Sequence, residues 1–385
     1  MINKKFIKMK MLTKKNNFYI DGLFYKGSGI GRYYESLVKE LAKKDIEIIT
    51  CVPKRLKNDF EKDFAGISNI KPIFMDYEKF SIKGFFKHSN LLKSLEGKVD
   101  IFFYPHINLP YYIPKNTIVT IHDLIPLTKW WDRNWIKRRI FRTFFKRAIN
   151  YSKGIITISE TTKKNILRFY PNIESKIKVI YEFIDEKFYL KINDKALVTT
   201  PYILFVGNRK VHKNIKNLII AFNNIRNKLD IKLVIAGAKD INIQKDEVDS
   251  LIENLNLKSD ILEFVSPDDK TLLNLYSNAT LFVFPSLYEG FGLPPLEAIS
   301  CGCPTITSNI PVLKEILGEK IACFNPYSVD DIAEKMLFYL KNKEKREELL
   351  LIGEERLKFF NRDKIMNEYL KYFKQIIENE NSSNK

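Results

Sequence analysis

At 385 residues the chain is too long for one comfortable core and suits two domains, and 45% apolar with 13% aromatic content excludes a disordered chain. No run approaches the roughly 18 uninterrupted apolar residues of a membrane-spanning helix. The formal net charge of +18 is one-sided: residues 1–190 hold 37 Lys and Arg against 19 Asp and Glu, whereas residues 191–385 hold 27 of each. Such a field points to an anionic partner for the first half only, whether membrane surface, nucleic acid or phosphorylated substrate. Lysine inflation by an AT-rich genome is the plainer alternative.

The N-terminus is basic (Lys4, Lys5, Lys8, Lys10) but has no apolar core or cleavage site, so no export signal is expected. Phe18–Asp21 is predicted as a strand, followed by a glycine turn and a helix from about Gly31 to Lys44. Strands are predicted at Glu47–Val52, Asp100–Tyr104, Ile118–His122 and Gly154–Ser159, with helices over 133–150 and Glu160–Phe169. Val179–Tyr181 and the polar stretch Lys191–Thr200 mark the end of a first domain and a linker. The pattern then restarts with strands Tyr202–Val206, Lys232–Ala236, Ile261–Val265 and Leu281–Pro285. Between and after them come helices Asn214–Asn227, Asp246–Leu255, Asp269–Ser277 and one from Pro294. Helices Asp330–Tyr339, Lys343–Phe360 and Lys364–Glu378 close the chain, and Asn379–Lys385 reads as a frayed tail. This alternation implies an α/β protein of two Rossmann-like doubly wound domains facing a central cleft. The expected divisions are 1–190, 191–363, and a helix with tail at 364–385 that packs back toward the first domain.

The segment from Phe284 to Pro304 concentrates the chemistry. A strand ends at Pro285, a loop carries Glu289, Gly290 and Gly292, and Pro294 suits a first helical turn. Open α/β sheets bind ligands beyond the carboxyl ends of their strands, and free N–H groups at a helix start suit phosphate or sugar oxygens. Glu297 is expected in the first turn, with seven residues between it and Glu289, so both carboxylates can face one cleft. For Glu297 alone a helix-dipole role is the rival. The four cysteines (Cys51, Cys301, Cys303, Cys323) form no Cys-x-x-Cys pair and read as reduced thiols of a cytoplasmic protein. His88 and His106 have no ligand-like spacing, there is no Asp-x-Asp motif, and no metal site is expected.

Glu289-Gly290-Phe291-Gly292-Leu293-Pro294 with Glu297 resembles the Glu-x7-Glu motif of retaining glycosyltransferases of family 4, which have the GT-B fold. Gly29-Ile30-Gly31-Arg32-Tyr33, Thr120-Ile121-His122-Asp123, Ile155–Glu160 and Tyr202–Gly207 with His212-Lys213-Asn214 resemble other blocks of that family in order and spacing. The resemblance implies that Glu297 hydrogen-bonds the nucleotide ribose and that Glu289 lies against the donor sugar as a catalytic group. It implies that the backbone of Gly290, Phe291, Gly292 and Leu293 meets the sugar and diphosphate. Lys213 is implied as one cation of the diphosphate site. Many relatives carry arginine directly after the glycine, but Asn208 stands there, so Arg209 is taken as the second cation, with a solvated loop cation as its rival. His122 is implied to orient donor or acceptor near the reacting centre, against a structural histidine bonded to Asp123. Gly31 is assigned to the donor side, and Gly29 and Asp123 to the acceptor side of the cleft. Retention by a covalent Glu289 intermediate and same-face attack both stay open, with the same-face route expected.

The wording Gly207-Asn208-Arg209-Lys210-x-His212-Lys213-Asn214 is similar to that of mannosyl- and rhamnosyltransferases of surface-polysaccharide assembly. That resemblance implies a nucleotide-sugar donor such as GDP-mannose, no metal, and a polyprenyl-diphosphate-linked glycan acceptor taken by the N-terminal domain. A UDP-sugar-dependent glucosyl- or galactosyltransferase is the alternative. Residues 129–147 carry eight basic side chains against Asp132, interleaved with Trp130, Trp131, Trp135, Phe141, Phe144 and Phe145. Ile136, Ile140, Phe141, Phe144, Phe145 and Ala148 form a stripe opposite Arg138, Arg139, Arg142 and Lys146, as in helices that lie on anionic membranes. A core helix with a solvated cationic face is the rival. Ile82–Leu95, with Lys83, Phe85, Phe86, Lys87 and Lys93, adds a second candidate docking surface. The expectation is a cytoplasmic protein peripheral to the inner face of the cytoplasmic membrane. Nucleic-acid binding, suggested by a pI near 9.4, finds no accompanying motif and is not expected.

Overall fold

A computed structural model describes residues 16–130, 135–189, 194–239 and 245–383. Lys4, Lys5, Lys8, Lys10, Trp131, Asp132 and residues 191–193 of the expected linker lie outside them.

The first half folds on seven parallel strands: β1 (Asn16–Asp21), β2 (Ile46–Pro53), β3 (Ile70–Met75), β4 (Ile101–Tyr104), β5 (Thr117–Ile121), β6 (Gly154–Thr157) and β7 (Ile177–Val179), ordered 3-2-1-4-5-6-7. The second half has six: β8 (Tyr202–Val206), β9 (Lys232–Gly237), β10 (Ile261–Val265), β11 (Leu281–Phe284), β12 (Thr305–Ser308) and β13 (Cys323–Phe324), ordered 10-9-8-11-12-13. Each sheet reverses its winding once, between β1 and β4 and between β8 and β11. In a doubly wound sheet the ligand crevice opens at that reversal, beyond the carboxyl ends of the strands.

Strands buried on both faces by flanking helices read as nearly unbroken apolar runs. β8 (Tyr-Ile-Leu-Phe-Val), β4 and β11 are of this kind and buried throughout. The strands that the sequence reading did not assign are different. β3 contains Pro72, tolerable because the strand pairs only with β2 at the sheet margin. β12 is Thr-Ile-Thr-Ser, and β13 has two residues. Helices Lys57–Asp63 and Pro311–Leu317 were unassigned as well.

Local chemistry starts the helices. Ser81 Oγ accepts from Gly84 N (2.9 Å) ahead of helix Ile82–Leu95, and Ser159 Oγ accepts from Thr162 N (3.1 Å) ahead of Glu160–Leu167. Asp246 and Asp249 form a reciprocal capping box for Glu247–Asn254.

The last helix, Arg362–Ser383, runs on into the Asn379–Lys385 segment expected to fray. It lies against the first sheet: Phe373 packs edge-on to Phe18 at 5.4 Å, and Tyr372 Oη donates to Lys176 O at 3.0 Å. Tyr369 Oη and Tyr33 Oη are 2.7 Å apart. The two halves are thus joined at both ends of the second one. No described helix is long and apolar enough to cross a membrane.

Candidate active site

A cavity of about 520 Å³ opens between the two sheets, lined from the first half by Gly29, Gly31, Arg32 and Lys187 and from the second by Gly207, Asn208, Lys213, Leu293, Pro294 and Glu297, among others. Its second-half wall is the carboxyl edges of β8, β9 and β10 with the first turns of helix Leu293–Ser300, which follows β11, beside the winding reversal where a ligand is predicted.

Glu289 and Glu297 are held differently. Lys213 Nζ donates to Glu289 Oε1 at 2.7 Å, an ion pair inside the second half with the ammonium 5.1 Å from the Phe284 ring centre. Pro294 lies in the first turn of helix Leu293–Ser300 as expected, but Glu297 is buried in the second turn, not the first, because the helix already starts at Leu293 after the N-cap Gly292. Tyr276 Oη donates to Glu297 Oε2 at 3.0 Å, and Arg32 Nη1 stands 3.6 Å from Oε1 across the cleft. Burial pushes the Glu297 carboxyl above its ordinary range, an effect that Arg32 and Tyr276 moderate. Arg32 also donates to Asp269 at 3.1 Å, and Lys187 Nζ meets the other oxygen of Asp269 at 2.7 Å. Arg32, Tyr276, Lys187 and Asp269 received no role from sequence, although Arg32 stands inside the Gly29–Tyr33 block.

Arg209 does not line this cavity. Its Nη1 donates to both oxygens of Asp246 (2.9 and 2.9 Å) and to Asp249 (2.7 Å), and its Nη2 contacts Glu263. Both terminal nitrogens of the guanidinium are thus held by carboxylates. Asn208, one residue earlier, faces the cavity instead. The structure therefore places Arg209 away from the cavity in which a diphosphate role was expected of it: the backbone after β8 turns Asn208 inward and Arg209 toward the acidic start of helix Glu247–Asn254.

The glycines act mainly in packing. At Gly290 a β-carbon would sit 2.3 Å from the carbonyl oxygen of His122, and Gly290 O accepts from Ser159 Oγ at 2.8 Å, so this residue is one of the points where the two halves touch. Gly292 has φ +109, a left-handed conformation that disfavours other residues. Gly31 lies within helix Ser28–Ala42, where a β-carbon would meet Phe24 O at 2.6 Å, while Gly29 borders open space. Phe291 is buried, its ring 6.0 Å from Tyr181 and 5.7 Å from Phe360, which leaves only its backbone for a ligand. Leu293 lines the cavity.

His122 and Asp123 follow β5. The histidine ring is not bonded to Asp123: Nε2 donates to Pro105 O at 2.9 Å, and Nδ1 lies 3.5 Å from Glu182 Oε1. Burial opposes its protonation, but the Glu182 carboxylate and the Pro105 carbonyl prevail and raise its pKa. Asp123 Oδ1 accepts from Ile125 N at 2.8 Å, and burial raises its pKa. Neither side chain is among those lining the cavity, but the His122 carbonyl abuts Gly290 beside Glu289. A further clamp that the sequence concealed is Glu315, whose carboxylate accepts from Glu160 N (2.6 Å) and Thr161 N (2.8 Å), tying the second half to the start of helix Glu160–Leu167.

Among the described residues, Asp21, Cys51 and His88 bring metal-capable atoms within 4.8 Å of one another. Tyr19 Oη sits among them, 2.8 Å from His88 Nε2 and 2.9 Å from Cys51 Sγ. Asp21 Oδ2 lies 3.4 Å from His88 Nε2 and 3.5 Å from Cys51 Sγ, and the Tyr19 hydroxyl, 3.3 Å from Asp21 Oδ2 as well, fills the space between the three.

The lining side chains make this cavity a place for an anionic, hydroxyl-bearing ligand: Lys213, Arg32 and Lys187 offer charge and Glu297 accepts hydroxyl protons, while Glu289 stands behind Lys213 as its ion-pair partner. Comparison with known proteins agrees with that chemistry. The family model described as Glycosyltransferase Family 4 matches residues 27–188, and that described as Glycosyl transferases group 1 matches residues 190–355. Serotype-specific mannosyltransferase WbdA of Escherichia coli is 30% identical over 238 residues, 58% of this chain and 29% of WbdA. The chain thus spans less than a third of that relative's length. O-antigen chain mannosyltransferase B of Escherichia coli is 27% identical over 364 residues, 86% of this chain and 91% of that one. The crystal structure of Anabaena HepE in complex with UDP and glucose shares the fold, with a TM-score of 0.74 at 14% identity, covering 94% of this chain and 100% of HepE. With both models matched in order across two facing Rossmann-like domains, the chain belongs to the glycosyltransferases of family 4 with the GT-B fold.

Proposed function

We propose that the chain transfers a hexose or deoxyhexose, mannose or rhamnose foremost, from a nucleoside-diphosphate sugar to a lipid-linked glycan in cell-surface polysaccharide assembly, with retention of configuration. The observation that carries this reading is that Lys213 and Glu297 line one cavity and that Lys213 is paired there with Glu289. In it, Glu297 binds the ribose, Glu289 lies against the donor sugar, and Lys213 follows the charge that grows on the departing diphosphate. Arg32 and Lys187 add positive charge from the opposite wall, so this reading routes the step through side chains without a divalent ion. The names of WbdA and of O-antigen chain mannosyltransferase B favour mannose and a surface-glycan acceptor, and UDP in HepE favours a nucleotide donor.

The same reading seats the N-terminal domain on anionic lipid at the inner face of the cytoplasmic membrane. In helix Trp135–Tyr151 only the later part of the apolar stripe, Phe145 and Ala148, is buried. Trp135, Ile136 and Ile140 stay exposed beside Arg139 and Arg142.

A panel of GDP-, UDP- and dTDP-sugars tests the donor, first by thermal shift and then by transfer. GDP-mannose or dTDP-rhamnose is expected to stabilise the protein and to be consumed, giving a product of the donor's own anomeric configuration. Glu289→Gln is expected to lower kcat by about 100-fold or more. Stabilisation by UDP-sugars alone would select the glucosyl or galactosyl alternative, and an inverted product would overturn retention. Trapping of a glycosylated Glu289 would replace the same-face route by a covalent one.

A further inference from the structure

The N-terminal domain holds a second cavity, of about 320 Å³, that the donor reading does not use. Its walls are mainly apolar, formed by Phe80, Ile82, Phe85, Phe86, Leu109 and Phe144, with Glu78, Ser81 and Asn108 as their polar members. Asp21 and His88 form its floor, yet Asp21 is already occupied by Leu23 N at 3.0 Å and His106 Nε2 at 2.8 Å. Such a floor has little left to fix sugar hydroxyls, and the walls favour hydrocarbon. The mouth is open: Phe80 is 62% and Ile82 82% exposed. Phe144 also belongs to the neighbouring groove of Trp135, Ile136 and Ile140, so the cavity continues into the exposed apolar face.

Lys79 stands at the opposite end, toward the cleft. Its Nζ lies 4.4 Å from the Phe24 ring centre, and among the described residues it has no carboxylate within 4.0 Å. Burial, reinforced by Arg55, lowers its pKa. Phe24 separates the two cavities: its ring is 5.6 Å from Phe80, while its carbonyl abuts Gly31 on the donor side. From the cleft outward the surface therefore presents the donor cavity, one half-buried cation that Glu78 offsets only in part and that forms no ion pair among the described residues, a mainly apolar cavity, and an exposed apolar groove with a basic rim.

We propose that the 320 Å³ cavity takes the first hydrocarbon units of a prenyl diphosphate-linked acceptor and that Lys79 takes its phosphate. This rests on the lipid-linked acceptor reading and adds the binding site to it. A free phosphate would have no use for the walls, and a free alcohol none for the cation. Only an amphiphile with its anionic group beside its chain uses both, with its sugar end directed at the cleft.

The full chain is assayed for kcat/KM on a lipid-linked and on a lipid-free glycan acceptor. The wild type is expected to prefer the lipid-linked form at least tenfold. Lys79→Glu and Asn108→Trp, the second filling the cavity from its rim, should each cut that preference about tenfold. Calorimetry with farnesyl diphosphate should show binding at least tenfold tighter than farnesol or inorganic pyrophosphate. A wild type without preference would overturn the lipid-linked reading and this site together. Preference retained in both variants would overturn the site alone. Equal binding of pyrophosphate would make it a simple phosphate site, and equal binding of farnesol would remove Lys79 from it; either result refutes the proposal.

Discussion

The cations of the cleft and those of the outer N-terminal face have opposite surroundings. In the cleft each meets an acid: Lys213 has Glu289, Arg32 has Glu297 and Asp269, and Lys187 shares Asp269. Arg209, behind the cleft, is the extreme, with three acidic side chains on its guanidinium, one of which, Asp246, accepts twice. On the outer face Lys79, Arg139, Arg142 and Lys146 have no carboxylate within 4.0 Å among the described residues. Not every basic residue there is free, since Lys83 and Lys87 share Asp76. The difference teaches how to divide the +18 excess. Paired cations are neutralised in advance and must exchange a carboxylate for a ligand anion, whereas unpaired ones project a field into solvent.

The sharpest way to break this comparison is Arg209→Ala. Its side chain is 9% exposed, and removing it leaves several carboxylates facing one another. Loss of one partner from a buried ion cluster costs on the order of 3 kcal/mol, to be read as a lower denaturation midpoint in urea. The donor KM should stay within about threefold. A tenfold rise in KM at unchanged stability would return Arg209 to the diphosphate site.

That residue also shows where sequence reasoning stops. The central strands were legible because burial on two faces demands runs such as Tyr202–Val206, and the Glu289–Glu297 segment was legible because its loop chemistry is local. β3 and β12 were not, since Pro72 and a Thr-Ile-Thr-Ser run carry loop signals that sheet margins tolerate. Whether Asn208 or Arg209 faces the cavity depends on how the chain leaves β8, which two adjacent polar residues do not encode. The partners of Glu297 are a different case. Arg32 comes from the far half of the chain and Tyr276 from another helix, so only the assembled fold reveals them.

A second prediction concerns a group that the paired region keeps uncharged. His212 is buried beside Lys213, and burial lowers its pKa to about 4, with Lys213 and Lys210 adding to the effect against Glu289. The unfolded chain takes up this proton near pH 6.5, while the folded one resists until about pH 4. Its contribution is thus fully present above pH 6.5 and is lost as pH falls toward 4, by about 3 kcal/mol. His212→Asn should flatten the urea midpoint between those pH values. His122, whose pKa is raised, contributes in the opposite sense, with stability present at low pH and lost as pH rises. A profile unchanged by His212→Asn would mean that the pocket accepts the imidazolium after all.

The smallest expected effect belongs to the unpaired side. Arg142 and Lys146 are exposed on the helix that also bears Ile136 and Ile140, and each basic residue near an anionic bilayer is worth about 1 kcal/mol. Arg142→Ala with Lys146→Ala should therefore weaken binding to phosphatidylcholine vesicles containing phosphatidylglycerol by roughly 30-fold. Added salt should weaken the wild type in the same direction, because exposed charges are screened within about 10 Å at 0.1 M. The apolar residues supply the part that salt does not remove, so Trp135→Ser should lower binding at high salt as well as at low. Co-sedimentation of the wild type that ignores both phosphatidylglycerol and salt would show that the N-terminal charge serves something other than a membrane, and the field would then have to be assigned to a soluble anion.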